Sequence, residues 1–218
     1  TLQFIDRRFA SNPTVALALA NKETVRMGKL ARESLTNAVE YFYTRDRALV
    51  RKGMALEDVI DMLEREITDY LVLASERRLS HEESNQAYGM LQSLSEIERI
   101  ADLAQNIIRE ADYATKHSVQ FSGEAQEELR NMIELTRETV DLTVEVLATR
   151  DRNAARRVEQ NERLLDDMQN EFRRNHIRRL NEHICNGNNG AVFLDLLGNL
   201  ERIGDHCLNI VQFVMGEA

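Results

Sequence analysis

The chain has 218 residues, 43% of them apolar and 30% charged, which provides for a sizeable core and excludes a disordered chain. Its 28 basic against 37 acidic residues leave a formal charge of −9, which argues against nucleic acid as a partner, because phosphate neutralisation needs a basic face. No apolar run approaches the roughly 18–20 residues of a membrane-spanning helix, no signal peptide is evident, and Cys185 and Cys207 lie outside any CxxC, as expected of buried thiols in a reducing compartment.

One proline, nine glycines and no tryptophan, with abundant Leu, Ala, Glu and Arg, point to long helices. Pro13 suits the first helical position after Asn12, where its missing N–H costs nothing, and the first helix is expected to run to about Tyr43. A turn near Thr44–Asp46 leads to a second helix carrying Val59, Ile60, Leu63, Ile67, Tyr70 and Leu71 at helical spacing, ending near Arg78. Ser80 with Glu83 is a capping-box signature for a third helix reaching about Thr115. After a link over Ser118–Gly123, further helices are expected near Gly123–Thr149, Asp151–Cys185 and Asn189–Gly216, with NGNNG (residues 186–190) as the breaker before the last. Up-down-up helices with short turns make an antiparallel three-helix bundle. The predicted fold is all-α, a tandem repeat of two such bundles: residues 1–20 as a lead-in, 21–117 as the first bundle and 118–218 as the second.

The tandem is an internal repeat. TRDRALVRKGMALEDVIDMLERE from Thr44 aligns without a gap on TRDRNAARRVEQNERLLDDMQNE from Thr149, an offset of 105 that also pairs Met27 with Met132. The offset falls to 103 for Glu98 with Glu201 and Asp102 with Asp205, so the intervening turn is shorter in the second half.

Four Glu-x-x-x-Asp pairs fall at equivalent places: Glu57/Asp61, Glu98/Asp102, Glu162/Asp166 and Glu201/Asp205. Residues four apart project to the same side of a helix, so each pair aims both carboxylates one way. Any one pair by itself reads better as solvated helix surface; recurrence after duplication sets these four apart. Like charges so placed repel, and Arg99 and Arg202, as next neighbours along the helix, point about 100° away and cannot neutralise them. Converging carboxylates form a hard, oxygen-rich site suited to Mg, Mn, Fe or Ca more than to a thiolate metal, with zinc left open. Asn106 and Asn209, one turn further on, are candidates for neutral ligands or for hydrogen-bond partners of the acids. Ala101 and Gly204 are expected to leave room beside them. None of the five histidines follows a Glu or Asp by three residues, which argues against a carboxylate-bridged di-iron enzyme, and no nucleophile with an evident base is present. The cluster RRNHIRR (Arg173–Arg179) reads either as helix-dipole complementarity or as a docking patch for an acidic partner or an anionic membrane.

ERIADLAQN and ERIGDHCLN, with LEDVID and NERLLDD upstream, resemble the signature of the PhoU family over roughly Lys22 to Gly216. The resemblance implies multinuclear metal sites, often iron or zinc, on Glu57, Asp61, Glu98 and Asp102 in one half and on Glu162, Asp166, Glu201 and Asp205 in the other. It also implies regulation of phosphate uptake and phosphate-starvation signalling without catalysis, through a phosphate transporter's membrane domain or ATP-binding subunit or a sensor kinase, with a homodimer as one possible form. FIDRRFASNPTVALALANKETVRMG is similar to the junction between the membrane domain and a C-terminal PhoU-like domain in bacterial sodium/phosphate cotransporters. With Thr1 rather than Met at the start, the leading expectation is the cytoplasmic domain of such a cotransporter, at the inner face of the cell membrane. A stand-alone PhoU-type negative regulator is the alternative, and a metal-free helical adaptor the second.

Overall fold

In the computed structural model, which describes residues 1–76, 78–185 and 187–216, six long helices follow a short 3-10 helix at Arg7–Phe9. They are α1 (Pro13–Thr44), α2 (Arg47–Ser75), α3 (His81–Lys116), α4 (Gly123–Thr149), α5 (Arg152–Asn181) and α6 (Gly187–Met215). Helices α1–α3 form one antiparallel bundle and α4–α6 the other, and there is no strand among the described residues. The bundles share a core: α3 packs along α6 and α1 against α4, so apolar residues of both halves belong to one continuous cluster.

The starts and stops follow local chemistry. Asn12 accepts the Val15 N–H at 3.3 Å with Pro13 in the first turn of α1. Ser80 and Glu83 complete the capping box of α3, at 3.2 and 2.9 Å. The repeated TRDR stretch builds the same turn twice. Arg45 (φ 60°) and Arg150 (φ 56°) end α1 and α4 in the left-handed conformation. Asp46 and Asp151 then cap α2 and α5. Each turn arginine reaches over to the last turns of its bundle's third helix: Arg45 Nη1 donates to the Ala111 carbonyl at 3.0 Å and Arg150 Nε to the Val214 carbonyl at 3.2 Å. These capped carbonyls are themselves repeat-equivalent, so the clamp was duplicated with the helices it joins.

The last connection departs from expectation. Helix α5 stops at Asn181 rather than near Cys185, and the chain turns through Glu182–Cys185 with His183 at φ 58°. Most of NGNNG is not a breaker: Gly187–Gly190 already belong to α6, and Asn186 lies outside the described residues. Gly190 is there for close approach, since a Cβ on it would lie 2.2 Å from Nε2 of the buried His176.

Candidate functional site

The eight predicted acids gather into two clusters, one per bundle. Helices α2 and α3 run antiparallel, which sets Glu57 and Asp61 opposite Asp102 and Glu98. Burial first, then the charges of Asp102 and Asp61, push the Glu57 carboxyl above its ordinary range. Burial, the Asp102 and Glu64 charges and a hydrogen bond shared with Asp102 push Glu98 up to about 7. Glu64 is a fifth member that the Glu-x-x-x-Asp spacing does not find. It follows Glu57 by seven residues and Asp61 by three, on the same side of α2, and it too is raised by burial and then by Asp61.

In the second bundle α5 and α6 repeat the arrangement. Burial and the Asp205 charge raise Glu162, burial and the charges of Asp205 and Asp166 raise Glu201, and burial, then Asp166 against an opposing effect of His206, raises Asp205. Asp166 is the most open of the four and accepts a hydrogen bond from Asn170 at 3.3 Å. Gln169 stands at the position equivalent to Glu64, so this cluster has no fifth acid.

Among the described residues, none of these nine carboxylates takes part in an ion pair. Arg202 is turned back along its own helix, donating to the Gly198 carbonyl at 3.1 Å and to Asn199 Oδ1 at 2.9 Å. The two asparagines differ in setting. Asn106 is half-buried one turn beyond Asp102, whereas Asn209 donates to Glu96 Oε2 at 3.0 Å across the seam between the bundles. His206 binds the same oxygen through Nδ1 at 2.7 Å. Glu96 thus ties α3 to α6, an interaction that no local pattern announces.

Two further expectations change. The space left by Gly204 is filled by Leu165, whose Cδ1 would stand 2.7 Å from an added Cβ. The glycine serves close packing of α6 on α5 rather than room for an ion, and Ala101 is likewise buried in the core. One of the four arginines of the basic cluster is taken into the fold. Arg179 is buried, donates to Glu128 at 2.8 Å and lies over the Phe193 ring, while Arg178 pairs with Glu124 and Glu182. Arg173 and Arg174 remain on the surface.

Chemically, each cluster is a set of hard oxygen donors on two adjacent helices, short of positive charge. That donor set fits a cation. Among the described residues, however, no three His, Cys, Asp or Glu side chains are close enough to grip an ion as they stand, so closure on a cation requires side-chain rotation. Burial pushes the Cys207 thiol up to about 12, which makes it inert, while Cys185 is half-buried beside His176 with Sγ 3.7 Å from Nδ1. No helix among the described residues is long and apolar enough to cross a membrane.

Known proteins share this architecture. The family model described as PhoU domain matches the chain twice, over residues 24–111 and 129–214. The "Phosphate-specific transport system accessory protein PhoU homolog 1" of Thermotoga maritima is 27% identical over 201 residues, covering 91% of this chain and 85% of that protein. The "Putative inorganic phosphate export protein YjbB" of Escherichia coli O157:H7 is 24% identical over 215 residues, 97% of this chain but 39% of that protein. The crystal structure of PhoU from Pseudomonas aeruginosa superposes with a TM-score of 0.85, covers 93% of this chain and 96% of that one, and at 23% identity attests to a common fold.

Proposed function

The chain belongs to the PhoU family, and on that footing we propose that it is a regulatory component of phosphate transport, acting as an accessory protein whose two carboxylate clusters hold cations. The observation that carries the reading is the duplicated convergence of acids, none of them in an ion pair, on α2/α3 and α5/α6, in a chain similar along most of its length to a phosphate-transport accessory protein. Eight side chains supply the donors: Glu57, Asp61, Glu98 and Asp102, then Glu162, Asp166, Glu201 and Asp205. Glu64 adds a ninth carboxylate to the first site. A bound cation, whether Fe, Zn, Mn or Mg, would supply the positive charge that these carboxylates lack. The acids would then bridge α2 to α3 and α5 to α6, stiffening the surface each bundle offers to a transport protein. No step of catalysis is required of them.

Thermal unfolding of chelator-treated protein with micromolar Mn, Fe or Zn tests the cation part, because a ligand bound only by the folded state must raise its stability, by about 2.7 kcal/mol at a hundredfold excess over Kd. The wild type is expected to gain stability, Asp102→Asn and Asp205→Asn each to lose part of the gain, and the double variant to lose it all. No gain in the wild type would refute cation binding. The regulatory part predicts that cells lacking the chain no longer adjust phosphate flux to external phosphate; an intact adjustment counts against it.

A second reading, the regulatory domain of a longer phosphate-transporting membrane protein, is favoured by one observation. The YjbB likeness runs over 97% of the chain and so takes in N-terminal residues that the family model leaves out. An immunoblot of native cells separates the two readings: a soluble band near the mass of this chain, or a much larger band in the membrane fraction.

A further inference from the structure

Residues 1–12 lie outside both stretches matched by the family model, yet they are gripped firmly by the first bundle. Leu2 and Ile5 pack on the core and Ala10 is buried. The carboxylate of Glu23, wholly buried, accepts the backbone N–H of Gln3 at 3.0 Å and of Phe4 at 2.7 Å on Oε2, and Arg26 Nε at 2.5 Å on Oε1. Arg26 Nη2 in turn donates to the Thr1 carbonyl at 3.0 Å, and the Tyr70 hydroxyl to the Asp6 carbonyl at 3.2 Å. Each of these polar contacts to the segment lands on its main chain, and its own side chains add the apolar contacts of Leu2 and Ile5 and a surface ion pair of Arg7 with Glu66 at 3.7 Å.

The repeat explains why. Glu128 stands where Glu23 does, one repeat later, and is also buried. There α5 supplies the partners: Arg179 Nη2 at 2.8 Å and Asn175 Nδ2 at 2.7 Å. The first-half counterparts of these two residues are Ala74, which has no donor, and Tyr70, which is turned to Asp6. The second bundle therefore closes over its glutamate with its own helix, and the first takes donors from an incoming backbone.

We propose that the α1–α2 groove headed by Glu23 and Arg26 is a peptide-binding site, occupied in cis by residues 1–12 and open in trans to an extended segment of a partner protein. The segment it fits offers two successive free N–H groups to Glu23 and apolar side chains three residues apart, as Leu2 and Ile5 are. Because the cis segment is tethered at an effective concentration on the order of millimolar, binding a partner and releasing the strap are one event. A carboxylate reading main-chain N–H groups fixes the position of the incoming chain, and the two apolar sites select its side chains.

The test uses full-length chains and a fluorescent peptide of sequence TLQFIDRRFASN, followed by anisotropy. Leu2→Asp with Ile5→Asp unloads the strap without touching the groove; Gln3→Pro with Phe4→Pro does so by removing the two N–H donors, should the first variant fail to fold. Amide exchange over residues 1–12 reports release, and circular dichroism reports the bundle. A chain with a released strap is expected to bind the peptide at least tenfold tighter than wild type, and to lose that gain when Glu23→Gln is added. Binding no tighter than wild type once the strap amides exchange freely overturns the proposal, as does tight binding that survives Glu23→Gln.

Discussion

Glu23 and Glu128 are one position of an ancestral bundle, and they stay buried by different means. The second half encloses Glu128 within a side-chain network on α5, from which it cannot escape without unfolding. The first half relies on a twelve-residue segment that can return to water, together with Arg26. Duplication thus preserved the electrostatic problem and left each copy to find a solution, so the same substitution is not the same perturbation in the two halves.

The largest effect that would break this comparison is expected from Arg179→Ala, which strands the Glu128 charge in the interior. Urea unfolding should show a loss of about 3–5 kcal/mol, and Glu128→Gln added to it should restore part of that loss, because the penalty comes from the unpaired charge rather than from the missing arginine. Glu23→Ala should cost less, about 1–3 kcal/mol, since the freed N–H groups of Gln3 and Phe4 can bind water. Equal costs would mean that the strap is as much part of the core as α5 is. Gly190→Ala comes next. Its counterpart in the first half is Ala87, and Leu71 stands at the position equivalent to His176, whereas a Cβ at 190 collides with the buried His176. A loss of about 1–3 kcal/mol is expected from the forced shift. Gly204→Ala should be milder, because only the end of the flexible Leu165 side chain must move.

The acidic clusters offer a comparison by pH. Glu98 is raised from 4.5 to about 7 in the folded chain. Between those values the folded chain holds a proton that the unfolded chain has released, so its stability falls as pH rises through the window; the penalty is absent below pH 4.5 and complete above 7. In chelator, Glu98→Gln should therefore stabilise the protein at pH 8, by about 1–2 kcal/mol once solvent screening is allowed for, and leave it unchanged at pH 4. Glu201→Gln should act in the same direction with a smaller amplitude. A destabilised Glu98→Gln at pH 8 would mean that the cluster is not under repulsion.

Legibility in the sequence divides along the same physical line. Caps and turns are decided within a few residues, so Pro13, the Ser80–Glu83 box and the TRDR turns could be read directly, and the repeat then brought the four Glu-x-x-x-Asp pairs together. What could not be read depends on the register between helices. Leu165 fills the notch at Gly204, Glu96 finds His206 and Asn209 across the seam, and Arg179 leaves the apparent basic patch for Glu128. Glu64 is an intermediate case, visible to a search for acids seven apart on one helix but not to a search for acids four apart.

The smallest predicted effect bears on why the clusters differ. Burial is the leading cause for both carboxyls and is no deeper at Glu98, which differs from Glu201 by a hydrogen bond shared with Asp102 and by the additional charge of Glu64, which Gln169 replaces in the second half. Gln169→Glu rebuilds the missing acid beside Gly198, whose position leaves the new carboxylate room to turn toward Glu201. The stability cost in chelator should be only about 0.2–0.5 kcal/mol, the ordinary size of a like-charge contact on a helix surface. The informative readout is the Glu201 carboxyl followed by carbon-13 NMR titration. If its titration moves upward toward that of Glu98, the fifth acid sets the difference. If it stays in place, the hydrogen bond that Glu98 shares with Asp102 sets the difference, and the first cluster is distinguished by how its acids meet rather than by how many it carries.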